Sequence, residues 1–274
     1  MAIDSVKYPL LYRVSLGADW LGSGEFHDLV AAGGGGLWET WFNFVLANAG
    51  LGGYAPRLKG PQVQFTGACR EIAVAHFLVT WCGMRIVEWQ PHGSQGMLGE
   101  FAVASHAGHR IFVEVKSPRW QGEIAQVRGD TDPRLCMPKY TGIETRATGP
   151  WAAAKYAIKK AYPKVPDTMP TLLVINDDLL VPLAKLAAIT HDIDLYVPKS
   201  RVNPDGGAFA DDRYERLGGV GLLTVDDFDT RRGVQYTFAL FENPHALPAV
   251  ALPPEIGSGY PRYNASGRVT RDWC

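Results

Sequence analysis

Residues 110–116, RIFVEVK, constrain the fold of this chain more than any other stretch. They read as a β-strand: an apolar run that stops at Ser117-Pro118. Side chains alternate faces along a strand, so Glu114 and Lys116 share one face while Val113 and Val115 take the other. A strand this apolar belongs in a core, yet it carries a carboxylate and an amine two residues apart. Either the two form an exposed same-face ion pair of little energetic value, or they belong to a site.

The neighbouring segments place this strand in a mixed α/β core. LGEFAVA (98–104) is a strand joined to 110–116 by the short turn SHAGH, so the two are expected to pair antiparallel. MRIVEWQ (84–90) precedes them as a further strand. TGACREIAVAHFLVTWCG (66–83) predicts a helix over 66–82, with Thr66 as its N-cap. PWAAAKYAIKKAY (150–162) predicts another, bounded by Pro150 and Pro163. TLLVIND (171–177) is a buried strand, and 117–149 read as irregular. The order is helix, three strands, helix, strand, within a core spanning 61–200.

Extensions flank that core. Residues 1–60 are helical and loop-rich; LWETWFNFVLANAG (37–50) spaces Trp38, Phe42 and Leu46 along one face. The preceding AAGGGG (31–36) lacks the Lys-Ser/Thr of a phosphate loop and reads as a flexible hinge. Residues 201–274 form a β-rich extension packed on the core, with a hairpin of GGVGLLTV (218–225) and GVQYTFALF (233–241) around DDFDTRR. In that turn DDFD is a solvated loop, since a calcium loop needs a longer ladder of ligands.

Composition sets the outer bounds. The chain has 274 residues, 46% hydrophobic, enough to bury a sizeable core. A formal net charge of −1 excludes bulk basicity as a sign of a nucleic-acid partner. Cys69, Cys82, Cys136 and Cys274 form no CxxC pair and have no histidine at zinc-ligand spacing, which points to a reduced, cytoplasmic setting. Asp4 and Lys7 stand where a signal peptide would begin its apolar segment, and no run of about 18 apolar residues predicts a membrane span.

Two more carboxylates bear on Glu114 and Lys116. Glu100 is the only carboxylate between Trp89 and Val113, at the start of the strand expected to pair with 110–116. Glu71 lies on an apolar part of its helix, among Ala68, Val74, Ala75 and Leu78. A carboxylate there is costly unless it binds a metal or is paired, with Arg70, Arg85 or Arg110 as partners within reach. A helix acid, an acid opening a strand and Glu-x-Lys on the next strand resemble the PD-(D/E)XK nuclease superfamily over about residues 66–177. Where that family usually has Pro-Asp, this chain has Gly99-Glu100.

The resemblance implies a restriction-endonuclease-like core and a metal-dependent endonuclease, a hydrolase of phosphodiester bonds acting in restriction, repair or defence. Glu100, Glu114, the Val115 carbonyl and Glu71 would hold Mg2+, with Mn2+ as a substitute, because hard cations take oxygen ligands. Lys116 would orient the attacking water or stabilise charge on the phosphate. The implied partner is nucleic acid, DNA foremost, with no membrane, and a homodimer is compatible with it. Residues 110–164 hold eleven Lys or Arg against five Asp or Glu. Lys155, Lys159 and Tyr162 share one helical face, and Arg119 follows the strand directly; these basic groups are candidates for phosphate contact, against a plain solvated surface. Trp120 is a candidate for base stacking, with packing the simpler role. Two rival readings use the same residues: a catalytically inactive relative that binds nucleic acid or protein, and a small-molecule phosphohydrolase, which needs a closed pocket. His106 and His109 read as turn polarity, and His76 as a core or boundary histidine.

Overall fold

The expected meander forms. Strands β1 (Arg85–Trp89), β2 (Phe101–Ala104) and β3 (Arg110–Lys116) pair antiparallel in sequence order, with Phe101 opposite Val113 and Ala104 opposite Arg110. The structure, a computed structural model, describes residues 3–48, 53–117, 124–132, 137–145, 151–176, 208–209, 211–263 and 269–270. Among the described residues the chain is α/β, built on a mixed sheet of eight strands. β6 (Thr171–Asn176) runs parallel to β3, and β7 (Gly219–Asp229) parallel to β6. β8 (Gly233–Glu242), β9 (Arg262–Tyr263) and β10 (Val269–Thr270) complete the order β1-β2-β3-β6-β7-β8-β9-β10. Every residue of β6 is buried, as expected of a largely apolar strand with a parallel neighbour on each side.

Two sequence expectations differ from what forms. Residues 117–149, read as irregular, contain β4 (Ile124–Asp132) and β5 (Met137–Thr145), which pair into a separate two-stranded sheet. Their polar residues and interspersed glycines hide the alternation that marks a strand. The hairpin near the C-terminus is also longer than expected. DDFD (226–229) ends β7 instead of forming the turn, and β7 belongs to the main sheet through its pairing with β6.

Two compact units divide the chain. The first comprises Met1–Phe77, Val127–Gly142 and Val225–Thr237; the second Leu78–Gln126, Ile143–Thr224 and Phe238–Cys274. The first unit gathers α1 (Pro9–Ser15), α2 (Gly24–Leu29), α3 (Gly35–Asn48), α4 (Ala55–Leu58) and most of α5 (Gln62–Thr80). Its core is aromatic: Phe26, Trp38, Trp41 and Phe65 contact one another edge-on or tilted. Each such side chain, fully buried, stabilises the fold by roughly 1.5–3 kcal/mol. On α3 the buried stripe is Leu37, Trp38, Trp41, Phe42 and Val45, while Leu46 is exposed, so the true face is rotated from the four-residue spacing expected. The glycine run interrupts the helical path just before α3: within residues 30–34 the chain kinks at Gly33, whose φ of 117° is non-helical and open to glycine at little cost. A Cβ on Gly35 would overlap the Tyr8 ring.

Side chains complete the backbone hydrogen bonding of this unit. Glu39 on α3 accepts the N–H groups of Leu10 and Leu11 at 3.0 and 2.8 Å, satisfying the otherwise unpaired first turn of α1. α5 starts four residues before the expected cap, and Thr66 lies inside it, donating its hydroxyl to the Gln62 carbonyl. His76 is a core histidine. Trp41 Nε1–H donates to the Tyr236 hydroxyl at 3.0 Å, and that hydroxyl lies 3.0 Å from His76 Nδ1. Indole is a donor only, so the Tyr236 hydroxyl has its own proton to give to Nδ1. Burial lowers the His76 pKa to about 4, so the ring is neutral at pH 7.

In the second unit, α6 (Trp151–Ala161) covers the sheet. Ala157, Ile158 and Ala161 pack with Leu173 and Ile175 of β6, Val220 and Phe241. Glu114 pairs with Leu173 and Lys116 with Ile175 in the parallel register, so the Glu-x-Lys face of β3 is the face that α6 covers.

A candidate active site on strand β3

The Glu114 carboxylate is completely buried. β3 puts it beneath α6, and the loop between β1 and β2 closes beside it. Within that loop Gly93 N–H bonds the Met97 carbonyl, and His92 bridges to Leu98. Gly93 and Gly99 let the loop press inward. A Cβ on Gly99 would overlap the Phe112 ring, and one on Gly93 would overlap the Lys164 carbonyl oxygen. The absence of proline before Glu100 therefore has a local cause: Phe112 occupies the space a ring at position 99 would need.

Two ammonium groups meet Glu114 on one oxygen. Lys116 Nζ hydrogen-bonds to Oε1, and Lys164 Nζ lies 2.7 Å from the same atom. Lys116 comes from the same strand face. Lys164 comes from a single 3-10 turn, Tyr162–Lys164, just after α6. Oε2 of Glu114 is buried and has no hydrogen-bond partner among the described residues. Buried carboxylate oxygens are rarely left so, because losing water without a replacement partner is costly.

Around Lys164 the backbone is pinned. The Ser94 hydroxyl donates to the Val165 carbonyl at 2.6 Å, and Arg216 Nη1 donates to the same carbonyl at 3.1 Å. Arg216 also pairs with Asp167 at 2.7 Å and lies over the Tyr162 ring, 4.5 Å from its centroid. Burial works against the Arg216 charge, but hydrogen bonds to Tyr162 and Asp167 outweigh it and raise the pKa above its ordinary value.

Glu100 stands one residue before β2, donating its N–H to the Val113 carbonyl at 3.3 Å and accepting from Gln90 N–H at 3.0 Å. The backbone of Glu100 thus sits at the level of Val113 and Glu114. Val115 faces away from Glu114, and its carbonyl lies 3.4 Å from Lys116 Nζ. Glu71 belongs to the first unit and is paired there, though not with Arg70, Arg85 or Arg110: Arg57 of α4 holds both of its oxygens. Arg110 is taken by Glu88. Lys159 is exposed on α6; the Lys155 side chain, Arg119 and Trp120 lie outside the described residues. His109 pairs with Glu255 at 3.4 Å on the surface.

Among the described residues, no group of three or more His, Cys, Asp or Glu side chains is arranged to hold a metal ion. Lys164, Ser94, Arg216 and Arg57 escaped sequence reasoning. Each is joined to its partner across many intervening residues or by a turn with no periodicity, and no local pattern marks them. No described helix is long and apolar enough to cross a membrane.

No family model matches the chain, and no curated protein does. Among solved structures, that of Pyrococcus furiosus SfsA in complex with Ca2+ is similar over 62% of this chain and 60% of the SfsA chain, at 16% identity and a TM-score of 0.23. The match leaves out two-fifths of SfsA, and a superposition this loose says nothing about the chemistry of the present chain.

Proposed function

We propose that this chain is a metal-dependent nuclease of the PD-(D/E)XK kind, hydrolysing phosphodiester bonds in DNA, with Glu114 and Lys116 at the centre of its site. The observation that carries the reading is Glu114 Oε2, a fully buried carboxylate oxygen without a partner among the described residues, on a strand face shared with a lysine. An oxygen of that kind fits a hard divalent cation. The order α5, β1–β3, α6, β6, with β6 parallel to β3, supports a restriction-endonuclease-like core.

Mg2+, with Mn2+ as a substitute, would be held by Glu114 and Glu100, with the Val115 carbonyl as a further oxygen. When bound, such an ion neutralises phosphate charge and acidifies a water. Glu71 does not fit a ligand role while Arg57 occupies both its oxygens. Lys116, with its amine on the carboxylate, is placed to meet negative charge as it develops on the phosphate. Lys155, Lys159 and Arg119 would meet backbone phosphates around the site. The setting proposed is cytoplasmic, with restriction, repair or defence as the role.

A second reading has its own support. Lys116 and Lys164 both pair with Glu114, which is also what a catalytically inactive binding module would keep as a buried ion cluster. Incubation with plasmid DNA and Mg2+ or Mn2+, with EDTA as control, separates the two. Cleavage abolished by EDTA and by Glu114→Ala supports the nuclease. DNA binding without cleavage under any divalent ion supports the module.

A further inference from the structure

We infer that Lys164 is an internal cation that competes with a divalent metal ion for Glu114. The inference rests on the nuclease reading and adds a regulator to that same site. Lys164 Nζ lies 2.7 Å from Glu114 Oε1, the oxygen that Lys116 also uses. A metal ion on this carboxylate would stand within a few ångströms of two ammonium groups. Like charges so close repel strongly in a site shielded from water.

The two lysines differ in how they are mounted. Lys116 projects from β3, held in register with β6 on one side. Lys164 projects from a turn whose backbone is fixed by Ser94, Arg216 and the close approach of Gly93. Its side chain is about 25% exposed. A fixed base and a flexible, partly exposed four-carbon stem let the ammonium move off the carboxylate while the turn stays in place. Arg216 bonds Asp167, Tyr162 and the Val165 carbonyl, whereas Lys164 reaches Glu114 at the end of this flexible stem. Lys164 holds the acid in the absence of metal and must withdraw for metal to bind. A substrate phosphate, as an anion, offers the withdrawn ammonium a new partner and so favours metal loading.

The test is a titration with Mn2+ alone, without nucleic acid, at fixed pH and salt, reading free Mn2+ by electron paramagnetic resonance. Lys164→Met removes the charge and keeps an apolar stem; Lys164→Gln removes the charge and keeps a hydrogen-bond donor. Each should bind Mn2+ about tenfold or more tightly than the wild type, as expected when a repelling charge leaves a shielded site. Lys164→Arg should match the wild type or bind more weakly. Lys160→Ala, an exposed lysine on α6, should change affinity less than about twofold, because a solvent-exposed charge is screened. Melting curves verify that each variant is folded.

Equal or weaker affinity in both charge-removing variants overturns the inference, as does an equal gain in Lys160→Ala. Absence of Mn2+ binding in every protein overturns it too, for then no ion competes. Failure of the nuclease reading looks different: proteins that bind Mn2+, tighter without Lys164, yet leave plasmid DNA intact. Plasmid cleavage by a wild type whose Mn2+ affinity Lys164→Met does not improve sinks the inference alone.

Discussion

Arg57 holds Glu71 with both terminal nitrogens, Nη1 2.6 Å from Oε2 and Nη2 2.5 Å from Oε1. A fork-to-fork pair of this kind is among the stronger polar contacts a protein makes. Arg57→Ala would leave Glu71 charged on an apolar stretch of α5. The expected loss is roughly 2 kcal/mol, below the cost for a fully buried pair because Arg57 is about one-third exposed. Replacing both residues by leucine should recover most of it. Denaturant midpoints of the three variants check this, and an Arg57→Ala protein as stable as the wild type would mean that the pair is ornamental.

Lys116→Ala should leave DNA affinity nearly unchanged while cleavage drops by about a hundredfold or more, as for loss of a group acting in the transition state. Glu114→Ala should abolish metal binding and cleavage together. It also strands two ammonium groups around an emptied space, so a fall in stability of a few kcal/mol is expected with it. Plasmid nicking rates and melting curves, measured on the same preparations, separate the chemical effect from the structural one.

Gly93→Ala tests the closure of the β1–β2 loop on the site. The new methyl would press on the Lys164 carbonyl, and backbone cannot step aside as a side-chain tip can. A loss of about 1–3 kcal/mol is expected for such overpacking. Gly99→Ala should behave alike through Phe112. Unchanged melting temperatures in both would show that the loop has slack there.

His76 sets a pH dependence of known sign. Its pKa is about 4 in the folded protein because of burial, against an ordinary value of 6.5. Above 6.5 the ring is neutral in both states and its contribution to stability is complete. As pH falls from 6.5 towards 4, the unfolded chain takes up a proton that the folded one refuses, and stability falls by roughly 3 kcal/mol at the lower end. His76→Gln carries no such charge and should lose less between pH 7 and pH 5. Thermal melts of both proteins at the two values decide it. A parallel fall in the two proteins assigns the acid sensitivity elsewhere.

Lys159→Ala combined with Lys155→Ala should weaken binding to DNA of any sequence and flatten its dependence on salt, with the rate of the bound complex unchanged. Binding isotherms at several salt concentrations give the slope directly. An unaltered slope would make this helix face mere solvated surface.

Much of the sheet is legible in the chain itself. The meander β1–β3, β6 and α6 all follow from local pattern, because alternation, apolar periodicity and bounding prolines act over a few residues. β4 and β5 are not legible in this way, because their pattern is polar and broken by glycine. Leu46 misleads because a spacing of four drifts off a helix face that repeats every 3.6 residues, and the true stripe mixes spacings of three and four.

The candidate site divides along the same line. By itself the sequence determined that Glu114 and Lys116 share one face of one strand, since that follows from a two-residue repeat. It also marked Glu71 as needing a partner, since its helix neighbours are apolar. Which partner Glu71 took was settled by the tertiary structure, which brought Arg57 from α4 instead of Arg70, its neighbour in the chain. The same holds for Lys164: it lies fifty residues beyond Glu114 in the chain and reaches the carboxylate only because α6 crosses this face of the sheet and ends beside it. Local periodicity fixes the direction in which a side chain leaves the backbone. Only packing decides what it meets there, because charges pair through space and carry no signature in chain order.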